Sequence, residues 1–287
     1  AEQQMKKLAK ETAIYGISSI LGKFLNWLLV PLYTYVLASS ADYGVVTNLY
    51  SWTALLLVIL TYGMETGFFR FANKNKDDAE KVYATSLISV GFTSLLFSIL
   101  CLIFDNQIAN LLGYSANPEY ISMLGVVVAI DAFACIPFAY LRYLNKPIKF
   151  AIIKFLFVVL NIFFNIFFLI ICPWLAQHAP ETTNWFYNPD YGVGYVFVAN
   201  ILSTALQTLF LIPYFTKIKF IFDKTLLKEL LKYSLPLLIL VVAGIMNQTL
   251  DKILFPFLRT GVEGAAELGI YGATSKIALV MLMFTQA

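Results

Sequence analysis

The sequence is poor in chemistry-bearing side chains: it has one histidine, three cysteines and only 13% charged residues. Each scarcity removes a class of function. His178 stands alone in a polar loop, so a zinc site or a histidine-dependent triad has nothing to assemble from. Cys101, Cys135 and Cys172 lie within or at the end of apolar runs without CxxC spacing, and read as small hydrophobes. There is no phosphate loop and no nucleophile beside a base, so neither an enzyme nor a cofactor is expected. Hydrophobic residues make up 60% of the 287 positions, more than a soluble domain could cover with so few charges. Lipid is therefore the main solvent of this chain. The net charge of +3 comes from lysines scattered in short clusters, which gives no reason to invoke nucleic acid.

A bilayer core needs about 20 apolar residues per helix, and that window gives eight candidate spans, roughly 12–38, 45–68, 83–104, 119–142, 150–172, 192–215, 234–258 and 269–287. The first is too long and too proline-bearing for a cleavable signal, and further spans follow. The loops alternate in charge. Lysine and arginine gather before span 1, between spans 2 and 3, between 4 and 5, and between 6 and 7, while the other loops carry only Arg259. The positive-inside rule then predicts a cytoplasmic N-terminus.

The stretch TYGMETGFFRF, residues 61–71, ends span 2 with two charges. Arg70 falls where arginine snorkels to headgroups. Glu65 lies more than a turn deeper and about 140° around the helix from Arg70, so it needs a different partner. Between spans 6 and 7, DKTLLKELLKY places Leu226, Leu227, Leu230 and Leu231 on one face and lysines on another, with Asp223 as N-cap. Either an interfacial amphipathic helix or a plain extension of span 7 fits this pattern.

Residues 25–57 repeat at 250–282 with a constant offset of 225: Pro31 falls on Pro256, Ala41 on Ala266, Asp42 on Glu267 and Gly44 on Gly269. Prolines and glycines punctuate the backbone, so their coincidence outweighs any Leu-on-Leu match. The offset spans six helices, an even number, so the two units share one membrane orientation. They are parallel repeats, a transporter plan. Residues 1–225 then form a six-helix lobe, and 226–287 a linker with the first two helices of a second lobe. Completing the repeat predicts roughly four to six spans beyond Ala287.

The motifs AIYGISSILGKFLNWLLVPLYTYVL, ADYGVVTNLYSW, YGMETGFFRF and KYSLPLLI resemble Wzx-type polysaccharide or O-antigen flippases. These belong to the multidrug/oligosaccharidyl-lipid/polysaccharide (MOP) exporter superfamily. The resemblance runs over essentially the whole chain. It implies an all-α polytopic membrane protein: a MATE-like bundle of two six-helix lobes around a cavity, with the second lobe truncated here. It implies a bacterial inner-membrane flippase that moves an undecaprenyl-diphosphate-linked oligosaccharide to the outer leaflet by alternating access. Other polysaccharide-assembly membrane proteins are the expected partners. Within the superfamily the alternatives are a MATE-type drug or cation antiporter and a lipid II flippase. A membrane-embedded glycan polymerase or glycosyltransferase would need a larger, more charged outer loop than 173–191.

Charges inside spans are expensive, about 2.5–3.5 kcal/mol each on an insertion scale, and therefore mark a wet cavity or a partner. Lys23, Lys154, Lys252, Lys276, Asp131 and Asp251 are so placed. Polar stripes accompany them: Lys23 with Asn26 on span 1, Lys154 with Asn161 and Asn165 on span 5, Asn247 with Asp251 on span 7. The functional reading is a cavity in which lysines hold a lipid diphosphate and amides serve its sugars. The structural reading pairs Lys252 with Asp131 and Asp251 with Lys276. Asp131 is also a candidate coupling carboxylate, and Glu65 and Arg70 are candidate gate residues at the cytoplasmic mouth.

Overall fold

The structure, a computed structural model, describes residues 2–285, and all regular structure among them is helical. The helices are α1 (Glu2–Trp27), α2 (Leu29–Val36), α3 (Ser40–Thr61), α4 (Met64–Lys74), α5 (Ala79–Ile103), α6 (Asp105–Leu112) and α7 (Glu119–Tyr143). They continue with α8 (Pro147–Ile166), α9 (Cys172–His178), α10 (Pro180–Thr183), α11 (Gly194–Leu209), α12 (Ile212–Thr216), α13 (Lys224–Leu258) and α14 (Gly261–Thr285). A π-helical turn, Phe167–Ile171, joins α8 to α9.

Among the described residues, five stretches are long and apolar enough to cross a membrane: Ser40–Lys74, Lys76–Ile103, Glu119–Tyr143, Pro147–His178 and Lys224–Leu258. They match the expected spans 2, 3, 4, 5 and 7. Expected span 1 is divided, because its hydrogen-bond ladder lapses at Leu28, between α1 and α2. Expected span 6 is divided ahead of Pro213, leaving the apolar but shorter Gly194–Leu209. Both interruptions precede a proline, which lacks the N–H that would continue the ladder.

Span 2 is broken by geometry. Tyr62 has φ 35° and Gly63 φ 69°, so the chain turns through the left-handed region between α3 and α4. Glycine takes that conformation freely, whereas tyrosine is strained in it. The Tyr62 hydroxyl is held by Ser89 Oγ at 2.7 Å. A Cβ on Gly63 would also stand 2.8 Å from the carbonyl oxygen of Ser234.

The helices group into two compact units. One comprises residues 52–146 and 204–250. Its core joins Met64, Phe68 and Ala72 of α4 to Val82, Tyr83, Leu87 and Val90 of α5 and to Ile136 and Ala139 of α7. Tyr83 stacks on Tyr140 with centroids 4.0 Å apart, and Phe68 meets both rings edge-on. Leu226, Leu227, Leu230 and Leu231 pack on this core. The lysine-leucine segment is thus the first turns of the continuous 35-residue α13, its leucine face spent on protein contacts. Asp223 caps it: Oδ1 accepts from the N–H groups of Thr225 (2.8 Å) and Leu226 (3.1 Å), and Oδ2 lies 2.7 Å from Lys81 Nζ.

The other unit comprises residues 1–51, 147–203 and 251–287. In it α1 packs along α8, and α2 touches α14. Tyr33 of α2 donates to Asn165 Oδ1 of α8 at 2.9 Å, and Asn165 donates in turn to the Asn161 carbonyl at 2.7 Å. The start of α3 crosses the start of α14 without side chains between them: a Cβ on Gly44 would overlap the Ala265 carbonyl, and one on Gly269 the Ser40 carbonyl. In a bilayer such small-residue crossings replace the hydrophobic drive that water would give.

Candidate functional site

The charged groups of the expected cavity gather most densely where α13 meets α14. Asp251 is the centre of this group. Lys252 folds back along its own helix, so that Nζ stands 3.3 Å from both carboxylate oxygens of Asp251. Tyr271 of α14 donates a hydrogen bond to Asp251 Oδ2. The same ammonium lies 5.4 Å from the centre of the Tyr271 ring. Asp251 pairs with Lys252 and not with the expected Lys276. A flexible lysine reaches its sequence neighbour, although the two Cα–Cβ bonds diverge by about 100°.

Lys276 lies five residues beyond Tyr271, exposed on α14. Two ammonium groups and one carboxylate leave a net positive charge on this helix pair. The Asp251 side chain is 42% exposed and that of Lys252 17%, so the carboxylate is the more accessible member of the pair. Asn48 of α3, itself buried, reaches the same place and donates to the Lys252 carbonyl at 2.8 Å.

The remaining candidates are dispersed. Asn247 is exposed one turn before Asp251 on α13, and Lys154 is exposed on α8. Asn161 and Asn165 are buried, and part of their hydrogen-bonding capacity goes to each other and to Tyr33. Asp131 is half-buried on α7. The side chains of Lys23 and Asn26 lie outside the described residues.

Glu65 does not pair with Arg70. It accepts from Arg142 Nη2 of α7, and that guanidinium also covers the Phe69 ring, 4.9 Å from its centre. Arg70 instead sits 4.2 Å over the ring of Tyr233 on α13. The gate candidates are thus anchored to different helices by different forces, an ion pair and a cation–π contact. Among the described residues, no group of three or more metal-binding side chains occurs.

Sequence reading missed Tyr271, Arg142, Tyr33 and Asn48. In the sequence Arg142 is one of the basic residues between spans 4 and 5, where the positive-inside rule already explains a charge. The signal for Asn48 was present but indirect: Pro256 deprives the carbonyl of residue 252 of its helical donor, so some side chain had to supply one.

Solved structures with the same fold are MOP-superfamily transporters. An inward-facing multidrug resistance MATE transporter shares 16% identity at TM-score 0.58, covering 91% of this chain and 61% of its own. The outward-facing form of a MATE transporter gives 17%, 0.58, 93% and 62%. A MOP transporter from Pyrococcus furiosus Vc1 (DSM3638), described as having a binding pocket of reverse polarity that suggests a different function, gives 16%, 0.60, 93% and 63%. The chain thus spans about three fifths of the length of these structures. No curated protein matches it. The family model described as "Polysaccharide biosynthesis protein" matches residues 8–286, and the chain belongs to that family.

Proposed function

We propose that this membrane transporter flips an undecaprenyl-diphosphate-linked oligosaccharide, a polysaccharide repeat unit, from the cytoplasmic to the outer leaflet by alternating access. The observation that carries the reading is the charged cluster of α13 and α14, where Lys252 and Tyr271 converge on Asp251 and a further lysine, Lys276, is exposed on α14. Ionisable side chains on helices this apolar are costly and point to a use. A lipid diphosphate is the anion that a polysaccharide-assembly protein would present to them. The family match over residues 8–286 supplies the glycan side of the argument.

In this reading residues 1–225 form the first lobe, 226–287 open the second, and the N-terminus is cytoplasmic in a bacterial inner membrane. Lys23, Asn26, Lys154, Asn161, Asn165, Asn247, Asp251 and Lys276 serve the cargo. Glu65, Arg70 and Asp131 serve gating or coupling, and other polysaccharide-assembly membrane proteins supply the cargo. The Glu65–Arg142 pair joins α4 to α7 within one compact unit, which favours a static anchor over a bond made and broken in each cycle.

The test is a leaflet-resolved flipping assay in proteoliposomes with a defined lipid-diphosphate glycan. Movement of the labelled glycan lipid supports the proposal. Expulsion of cationic dyes without movement of the glycan lipid would identify a drug antiporter instead.

A further inference from the structure

Pro256 stands inside α13, and a proline there leaves the carbonyl four residues earlier without its helical N–H donor. That carbonyl belongs to Lys252. In lipid a bare carbonyl must find a donor within the protein. Asn48 is that donor: its Nδ2 stands 2.8 Å from the Lys252 oxygen, and the residue is 2% exposed. The helix runs unbroken from Lys224 to Leu258.

The donor is particular to this copy of the repeat: Pro31 is the equivalent of Pro256, whereas the position equivalent to Asn48 is Ala273.

We infer that Asn48 is a positioning residue that keeps α13 straight through Pro256 by replacing the hydrogen bond the proline removes. It does so from α3, the helix whose first turns cross α14 at Gly44 and Gly269. Movement of α3 away from α13 therefore withdraws the donor at the turn that carries Asp251 and Lys252, and α13 bends there. The Asn48 bond makes the shape of the charged turn depend on whether the α3–α14 crossing is closed. This inference does not depend on the cargo proposed above.

A double-mutant cycle tests it without any substrate. Asn48→Ala, with Asn48→Leu as the shape-conserving alternative, should lower the melting temperature of the purified protein by about 2–6 °C. It should also broaden the distance distribution between spin labels at Leu240 and Leu258, exposed positions on α13 that flank the turn. Pro256→Ala restores the N–H, so in that background Asn48→Ala should have little effect on either reading. Pro236→Ala serves as the control, because it restores the donor of a different carbonyl, that of Lys232, and should rescue nothing. An unchanged label distribution in both Asn48 variants, or equal rescue by either proline substitution, would overturn the inference.

Discussion

Gly44 and Gly269 lie backbone against backbone, and each faces the carbonyl four residues before the other. A Cβ on Gly44 would strike the Ala265 oxygen, and one on Gly269 the Ser40 oxygen. Adding 225 to one member of the first contact and subtracting it from the other gives the second. Thr47 and Gly272, equivalent at the same offset, face each other in the same seam. The offset of the sequence repeat thus maps this seam onto itself. Two copies of a small-xxx-small face, Ser40 with Gly44 and Ala265 with Gly269, pack on one another about a local two-fold axis.

The seam predicts a reversible lock. A Cβ at Gly272 would lie 3.0 Å from that of Thr47, close to the separation of about 3.5–4.5 Å in disulfides. Thr47→Cys with Gly272→Cys should cross-link under mild oxidation and stop transport, and reductant should restore it. Cross-linking that leaves transport intact would mean that the seam stays closed throughout the cycle. Gly44→Leu, which drives a side chain into the Ala265 carbonyl, should cost about 1–3 kcal/mol in stability by overpacking.

Much of this was legible in the sequence because it rests on periodicity and punctuation. Apolar run lengths give the helices, and the paired prolines and glycines give the repeat; that the paired glycines touch is a tertiary fact. What stayed hidden is tertiary choice. Nothing local distinguishes Arg142, 77 positions from Glu65, from any other basic residue near a span end. The break at Gly63 is announced by glycine, but the left-handed Tyr62 before it is imposed by the packing around it. The sequence allows Lys252 as a cavity lysine or a partner of Asp131; its flexible reach to the neighbouring Asp251 is not contained in its Cα–Cβ direction.

The Glu65–Arg142 pair is a modest anchor. Its side chains are 41% and 36% exposed, so solvent screens it, and Glu65→Gln should cost about 1 kcal/mol. The exchanged pair, Glu65→Arg with Arg142→Glu, should recover most of that loss in thermal melts. Slowed export by Glu65→Gln at unchanged stability would instead return the residue to a gating role.

Asp223 supplies a pH-dependent cap. The Lys81 ammonium, followed by the N–H groups of Leu226 and Thr225, holds its carboxyl below the ordinary range. A depressed folded value means that the unfolded chain takes up the proton first. The stabilisation is therefore complete above the unfolded value of about 3.9 and is lost as pH falls through the lower folded one. Asp223→Asn keeps an acceptor for the cap and removes the charge. The difference in melting temperature between wild type and Asp223→Asn should be full near neutrality and should vanish at strongly acidic pH. A constant difference would show that shape, not charge, makes this cap.

Tyr33 and Asn165 form a buried bond between α2 and α8. Tyr33→Phe removes the donor and leaves the Asn165 oxygen short of a partner, which should cost about 1–3 kcal/mol. Adding Asn165→Leu should cost less than the sum of the two single losses, because the orphaned acceptor disappears with its residue. Strict additivity in melting experiments would show that the two side chains act independently.

Lys276 separates a functional charge from a structural one by the sign of its effect on stability. An ammonium within a span costs about 2.5–3.5 kcal/mol to place, so a lysine kept for packing must return that through its partners. Lys276 is exposed on α14, the helix whose Tyr271 binds Asp251. Removing it takes away a charge carried on an apolar helix. Lys276→Ala should therefore leave the melting temperature unchanged or raise it, while movement of the labelled lipid-diphosphate glycan falls to background. Lys23→Ala, on the proposed opposite side of the cavity, should abolish export in the same way with normal protein levels. Lys149→Ala, exposed at the start of α8, should do neither and serves as the control. If Lys276→Ala lowers the melting temperature and export falls only in proportion to folded protein, the lysine is structural and the anion site lies elsewhere.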